Sequence, residues 1–532
     1  MIPSIKFCGA AGTVTGSCYW LRTEGGQILI DCGMFQGPKS LKELNYEPFP
    51  FDPKDISAVL LTHAHIDHSG LIPKLISGGF RGNVYMTEPT KDLLSYMLPD
   101  SGYIQEIEVE QLNRRNAERG RASVNPIYTR EDAIKAQRRF RTTDYQTWID
   151  LTPTIRARYW NAGHILGSAS IEMEIETADP KKTVLRLLFS GDIGPEHKLF
   201  HPDPDAPSDI DYLICESTYG GRIRDKLSVE ERRTVLAKEV RGAIDNGGVL
   251  LIPSFAVERT QELLADLSWL MNTLEVRRIP VFLDSPLAIK ATSVFAQHSD
   301  DLEDLSSGSV SFNHPNFHFT ETVEQSKSIG RYNGGIIILA GSGMCEAGRI
   351  RHHLKNYLWR DNTTVLLVGY QAPGTLGHLL ASGKKAVRIW GQEIQVRAHI
   401  RQTDIYSGHA DGQELVSWIK ERSPIHAGIF LTHGEEQSLE GLKADLAEAQ
   451  VPENLIHCPK LDDEIYLEGA APTYRKNEIS RRLQPEWVGK LDWHNDFAQL
   501  SIDLRELLEN AADEKSRKAI VRRVRRAIDD SS

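Results

Sequence analysis

The sequence predicts an α/β protein of two domains with a helical appendage, and three observations carry that reading. The chain has 532 residues, more than one hydrophobic core ordinarily holds. Between Ile5 and Gly220, short apolar runs of strand length recur, and each ends in a polar or glycine-rich turn. From about residue 209 such runs alternate with helix-like stretches, the pattern of right-handed βαβ units on a parallel, Rossmann-like sheet.

With 40% hydrophobic and 25% charged residues the composition is that of a soluble globular protein. Met1 to Phe7 lacks a charged segment leading into an apolar core and cleavage site. No apolar run reaches the roughly 18 residues of a membrane helix. No membrane is required, and a cytoplasmic location is expected. Cys8, Cys18, Cys32, Cys215, Cys345 and Cys458 occur singly, as reduced, buried small hydrophobes do. A net charge of −11 argues against wholesale coating of nucleic acid but leaves room for a local basic groove.

Taken in order, Ile5–Cys8 and Cys18–Arg22 read as strands joined by the glycine-rich stretch Gly9–Ser17, which lacks GK[ST] and so reads as a hairpin loop near the site. Gln27–Ile30 is a third strand and delivers Asp31, a carboxylate that needs partners and would find them by orienting a histidine. Ile56–Leu61 follows, ending in Thr62-His63-Ala64-His65-Ile66-Asp67-His68. In an extended segment the two-residue spacing of His63 and His65 puts both imidazoles on one side, able to share a metal. Asp67 and His68 come as Ser69–Leu75 begins a helix, and the turn can swing them to a second metal. Imidazole and carboxylate donors suit zinc or manganese.

The basic stretch from 105 to 145 reads first as a solvated helix face and second as an RNA contact. Ile155–Tyr159 leads into Asn161–Ser168, where glycines flank His164 and let the backbone approach closely. Val184–Ser190 ends at Gly191-Asp192, a carboxylate placed to bridge two metals. Tyr212–Cys215 ends at Glu216-Ser217-Thr218-Tyr219-Gly220. The later strands, Val249–Pro253, Pro280–Leu283, Gly335–Ala340 and Thr364–Val368, carry no GxGxxG, so a dinucleotide is unsupported. Their polar ends could line a polymer path or make tight turns. His378 and His409 lie in glycine-flanked loops, and His433 follows an apolar strand with the least signal of the three. Beyond Ala470, Leu500, Leu504, Leu507 and Leu508 mark one amphipathic helix, and Ile520, Val521, Val524 and Ile528 mark a second, basic one. It would dock on the body, dimerise or hold RNA, in that order.

The ordered set His63-x-His65-x-Asp67-His68, His164 and Asp192 resembles the metallo-β-lactamase fold, an αββα sandwich with metals at one edge. Glu216 in ESTYG, His378 in GTLGH and His409 in SGHAD resemble motifs A, B and C of its β-CASP subgroup, which processes nucleic acid. The resemblance implies an α/β architecture: an αββα sandwich from residues 1–208 and 385–469, an inserted Rossmann-like β-CASP domain over 209–384, and a helical C-terminal extension over 470–532. It implies two Zn2+, with Mn2+ as the alternative: His63, His65 and His164 on one, Asp67, His68 and His409 on the other, Asp192 bridging. Such metals would lower the pKa of a shared water and clamp a phosphodiester. Asp67 would orient or deprotonate the nucleophile, His378 would be the general acid, and Glu216 would orient His409.

The ESTYG and GTLGH forms and the compact layout resemble the RNA-cutting branch, akin to the pre-mRNA 3′-end endonuclease and its RNase J-related prokaryotic homologues. The implied activity is a zinc-dependent endoribonuclease on single-stranded RNA, with 5′-to-3′ exonuclease as a second mode and a homodimer as the expected assembly. Two alternatives stay open. One keeps the chemistry on DNA or a small ester; the other is a non-catalytic RNA-binding scaffold, which would have lost ligands that this chain retains.

Overall fold

A computed structural model describes residues 2–177, 184–245, 247–302, 311–371, 374–468, 471–474, 481–484, 504 and 507–529. Two sheets lie face to face. The first orders its eight strands as Pro472–Tyr474, Glu464–Leu467, Ser4–Phe7, Tyr19–Thr23, Gly26–Ile30, Ala58–Leu60, Asn83–Met86 and Phe140–Thr142. The second orders seven as Ile456–His457, Ile425–Thr432, Ile210–Glu216, Val184–Phe189, Ala169–Glu176, Ile155–Asn161 and Ile149–Thr152.

Alternate residues of these strands point inward, as a period of two requires. Ile5, Phe7, Leu21, Ile28, Ile30 and Leu60 of the first sheet therefore meet Tyr159, Ile171, Met173, Leu187, Phe189, Tyr212 and Phe430 of the second. The opposite face of the first sheet, with Leu29, Val59 and Val84, packs under the helix Glu88–Glu118 through Leu93, Leu94, Met97 and Leu98. That of the second, with Leu213, Ile429 and Leu431, packs under Gly412–Glu421 and Glu436–Glu448. The result is the αββα sandwich that the sequence led us to expect.

A third sheet is entirely parallel, in the order Phe317–Phe319, Val281–Leu283, Ile336–Ala340, Val249–Pro253, Thr363–Leu367 and His399–Gln402. It is inserted between two neighbouring strands of the sandwich. The chain leaves after Ile210–Glu216 and returns as Ile425–Thr432, which pairs with it in parallel up to Glu216 opposite Thr432. The inserted sheet takes in more chain than expected: His399–Gln402 pairs with Thr363–Leu367, so residues past 384 satisfy their backbone groups there. Likewise Pro472–Tyr474, past 469, completes the edge of the first sheet. The basic helix runs from Glu514 to Asp529; the one expected around Leu500–Leu508 falls largely outside the described residues. No helix among the described residues is long and apolar enough to cross a membrane.

Candidate metal centre

The parallel pairing of Ala58–Leu60 between Gly26–Ile30 and Asn83–Met86 makes these strands end together. At that edge Asp31 takes a left-handed conformation, φ +60°, which a short polar side chain tolerates better than most. Its carboxylate accepts from the Thr62 backbone N–H at 2.8 Å and stands 2.6 Å from His68 Nδ1. It therefore orients the His68 ring, as the sequence suggested. The helix Ile66–Ser69 starts directly after His65 and carries Asp67 and His68, the His68 ring centre coming to 4.1 Å from that of His63.

The donors converge in overlapping groups, each with its ligand atoms within 4.8 Å of one another: His63, His65, His164 and Asp192; Asp67, His68 and His433; Asp192, Glu216 and His409. Asp192 stands between the first two. Its Oδ2 lies 3.5 Å from His63 Nε2 and 3.6 Å from His164 Nε2, while Oδ1 lies 3.3 Å from His68 Nε2 and 3.6 Å from His433 Nδ1. His164 reaches the group from a loop whose glycines at 163 and 167 have φ +64° and +79°. A Cβ at Gly167 would come within 2.7 Å of Thr87 and Thr90. The inserted domain braces this loop: Glu258 accepts from the Leu166 N–H at 3.1 Å and pairs with His201 and Lys198, and Lys198 donates to the His164 carbonyl.

These residues fit a pair of divalent cations. His65 Nδ1 lies 3.1 Å from both His63 Nε2 and His164 Nε2, and burial holds His63 and His164 well below their ordinary pKa and His65 down to about 4. Neutral imidazoles turned toward one another present lone pairs with few protons between them, the state a cation requires. At the second group burial opposes protonation, but the Asp192 and Asp31 carboxylates draw His68 well above its usual value, and Asp192 and Asp67 raise His433. Negative charge in excess of its partners is what a cation would neutralise. Asp192 Oδ1 is buried without a hydrogen-bond partner, a costly state that a shared cation would relieve.

Two expectations change. His433, not His409, stands with Asp67 and His68: its Nε2 is 3.2 Å from His68 Nε2 and 3.7 Å from Asp67 Oδ2. The strand Ile425–Thr432, lying beside Ile210–Glu216, delivers it there, and at φ +48° its N–H donates to the Ala10 carbonyl. The clue in the sequence was the repeat of an apolar strand running into Thr-His, as at Thr62-His63 and Thr432-His433. His409 is held across Asp192 by Glu216, whose Oε1 lies 3.1 Å from His409 Nδ1 and 2.7 Å from the Ile193 N–H. Glu216 thus touches the histidine with which the sequence reading had paired it. His378 stands in the first turn of the short helix Leu376–Ala381. Among the described residues, its side chain makes no hydrogen bond or ring contact with the cluster.

Known proteins match along most of the chain. Residues 11–88 match the metallo-beta-lactamase superfamily, 260–380 the Beta-Casp domain, and 393–457 the Zn-dependent metallo-hydrolase RNA specificity domain. Ribonuclease TTHA0252 of Thermus thermophilus is 36% identical over 82% of this chain and 95% of its own length. The transcription termination factor FttA of Methanosarcina mazei is 30% identical over 81% of this chain and 66% of its own. Cleavage and polyadenylation specificity factor 73 of Drosophila melanogaster is 29% identical over 83% and 61%.

Proposed function

The chain belongs to the metallo-β-lactamase superfamily, in its β-CASP branch of metal-dependent RNA hydrolases, and from that premise we propose a zinc endoribonuclease that cuts single-stranded RNA. The observation that supports this most is the placement of Asp192, one carboxylate oxygen toward each of two imidazole groups gathered from distant parts of the sequence. Two cations held there would acidify a water molecule and draw charge from the phosphate it attacks.

The rest falls to the protein. His63, His65, His164 and Asp192 would hold one cation, and Asp67, His68 and His433, with Asp192 beside them, would hold the other. Burial works against ionisation of Asp67, but His433, His68 and His65 outweigh it and keep the carboxyl below its usual range. An ionised Asp67 orients the attacking water and takes its proton. His409 stands at the mouth of the site with its side chain 20% exposed and Nδ1 on Glu216. This leaves Nε2 to give a proton to the departing ribose oxygen, the part the sequence had given to His378. Glu216 fixes the tautomer and stabilises the charged ring, and the inserted domain limits what reaches the centre.

The test is cleavage of labelled linear RNA, circular RNA and DNA of one sequence, with metal analysis of the same preparation. Cleavage of the circle, with two zinc ions per chain, is expected. Preference for DNA would overturn the substrate, manganese in place of zinc would overturn the metal, and no cleavage by the metal-loaded protein would favour the RNA-binding scaffold.

A further inference from the structure

From the metal centre a ladder of rings and guanidinium groups runs toward the ends of the inserted parallel sheet. His409 is 6.0 Å, ring centre to ring centre, from Tyr219. The Arg222 guanidinium is 5.9 Å from the Tyr219 ring and 5.8 Å from that of Tyr370, and so stands between the two. Tyr370 follows directly on Gly369, where an added Cβ would lie 2.6 Å from the Arg259 guanidinium. Arg259 in turn lies 5.0 Å from the ring centre of Phe255. The ladder thus runs from Tyr219 and Arg222, just past the strand Ile210–Glu216, to the ends of the strands Val249–Pro253 and Thr363–Leu367, which carry Phe255 and Tyr370.

Two features set it apart from ordinary packing. Phe255 and Tyr370 are each 37% exposed although they stand on a well-packed sheet. Phe255 is also accommodated by the absence of a side chain opposite, since a Cβ at Gly343 would meet its ring at 2.7 Å. Arg222 is exposed, and among the described residues its guanidinium makes no ion pair or hydrogen bond, so its donors remain available. Arg224 makes the contrast: it donates to the His409 carbonyl and pairs with Glu414, and so serves the loop rather than a ligand.

Flat apolar faces beside an uncommitted cation suit an unpaired nucleobase followed by its phosphate, because every base has a stacking face and every linkage a charge. We propose that Phe255 and Tyr370 form a stacking platform for the unpaired bases next to the scissile phosphate, with Arg222 taking the adjoining backbone phosphate. This rests on the RNA-cutting reading above and adds to it where the bases lie. Stacking of this kind tolerates any base, so the platform would select unpaired RNA over duplex rather than a sequence.

The experiment compares Phe255→Ala, Tyr370→Ala, Phe255→Trp and Tyr370→Trp with the wild type on a short linear RNA and on copies with one abasic nucleotide moved along it. KM is read from cleavage, and Kd from fluorescence anisotropy in chelator. Each alanine variant is expected to raise KM and Kd by about 5- to 160-fold, the range of one base stacked on one ring, with kcat falling less, while the tryptophan variants retain affinity. An abasic nucleotide at the matching place should weaken the wild type equally and the alanine variant no further. Equal abasic penalties in variant and wild type would overturn the platform while leaving the nuclease reading intact. Failure of the wild type to bind or cleave RNA would overturn both. Where an alanine variant fails to fold, the tryptophan variants with the abasic series decide: a loss of affinity on enlarging the ring overturns stacking.

Discussion

Replacing His433 by alanine tests which imidazole completes the second cation position. Its Nε2 lies 3.2 Å from His68 Nε2 and 3.7 Å from Asp67 Oδ2. Without it that position keeps only Asp67, His68 and a share of Asp192, whereas catalytic zinc sites ordinarily have three protein donors of their own. Losing a residue that merely orients a ligand weakens metal binding about 10- to 100-fold. Loss of a direct donor should reach at least the upper end, about 100-fold or about 2.7 kcal/mol. The assay is chelator competition followed by elemental analysis, with His409→Ala in parallel. His433→Ala should retain one zinc of two and His409→Ala both, since His409 is held on Glu216 at 3.1 Å, away from Asp67 and His68. The reasoning is refuted if His409→Ala loses a metal and His433→Ala keeps two. The backbone bond from His433 N to the Ala10 carbonyl survives either change, so the fold should persist in both.

Asp31→Asn keeps a residue that tolerates φ +60° but removes the charge 2.6 Å from His68 Nδ1; zinc affinity at the second position should fall about 10- to 100-fold in the same titration, and an unchanged affinity would count against the orienting part assigned to Asp31. Glu262 is buried, with Oε2 lacking a hydrogen-bond partner, and burial, together with Glu258 and Asp266, pushes its carboxyl up to about 7 despite Lys198 and Arg232. Because its folded value lies above the unfolded one, the fold carries no penalty from this group at low pH and loses stability as pH rises from about 4.5 to 7. The loss levels off near about 3 kcal/mol. Glu262→Gln should therefore resist urea better than the wild type at pH 8, with the difference vanishing toward pH 4.5; a variant less stable at pH 8 would contradict this.

Much of the site was legible because it is written in local patterns. The spacing His63-x-His65-x-Asp67-His68 after an apolar run, glycines around His164 and a carboxylate just past Val184–Ser190 are properties of a few consecutive residues, and so is the strand–helix alternation that announced the inserted sheet. Asp31 was legible as a carboxylate just past an apolar strand, although it is the pairing of that strand with the one before the histidine turn that brings it to His68. The exchange of His409 for His433 could not be seen that way. Both histidines come after the insertion, and only the parallel pairing of Ile425–Thr432 with Ile210–Glu216 decides which one arrives beside His68 and which beside Glu216. The same holds for the path of the chain past residue 384, set by an edge strand finding hydrogen-bond partners, and for the meeting of Arg222 with Tyr370, which lie far apart in the sequence. Local sequence marked most of the candidate donors and the layers; the order of strands within the sheets, a matter of long-range backbone pairing, brought His433 to the site and decided how the donors are grouped.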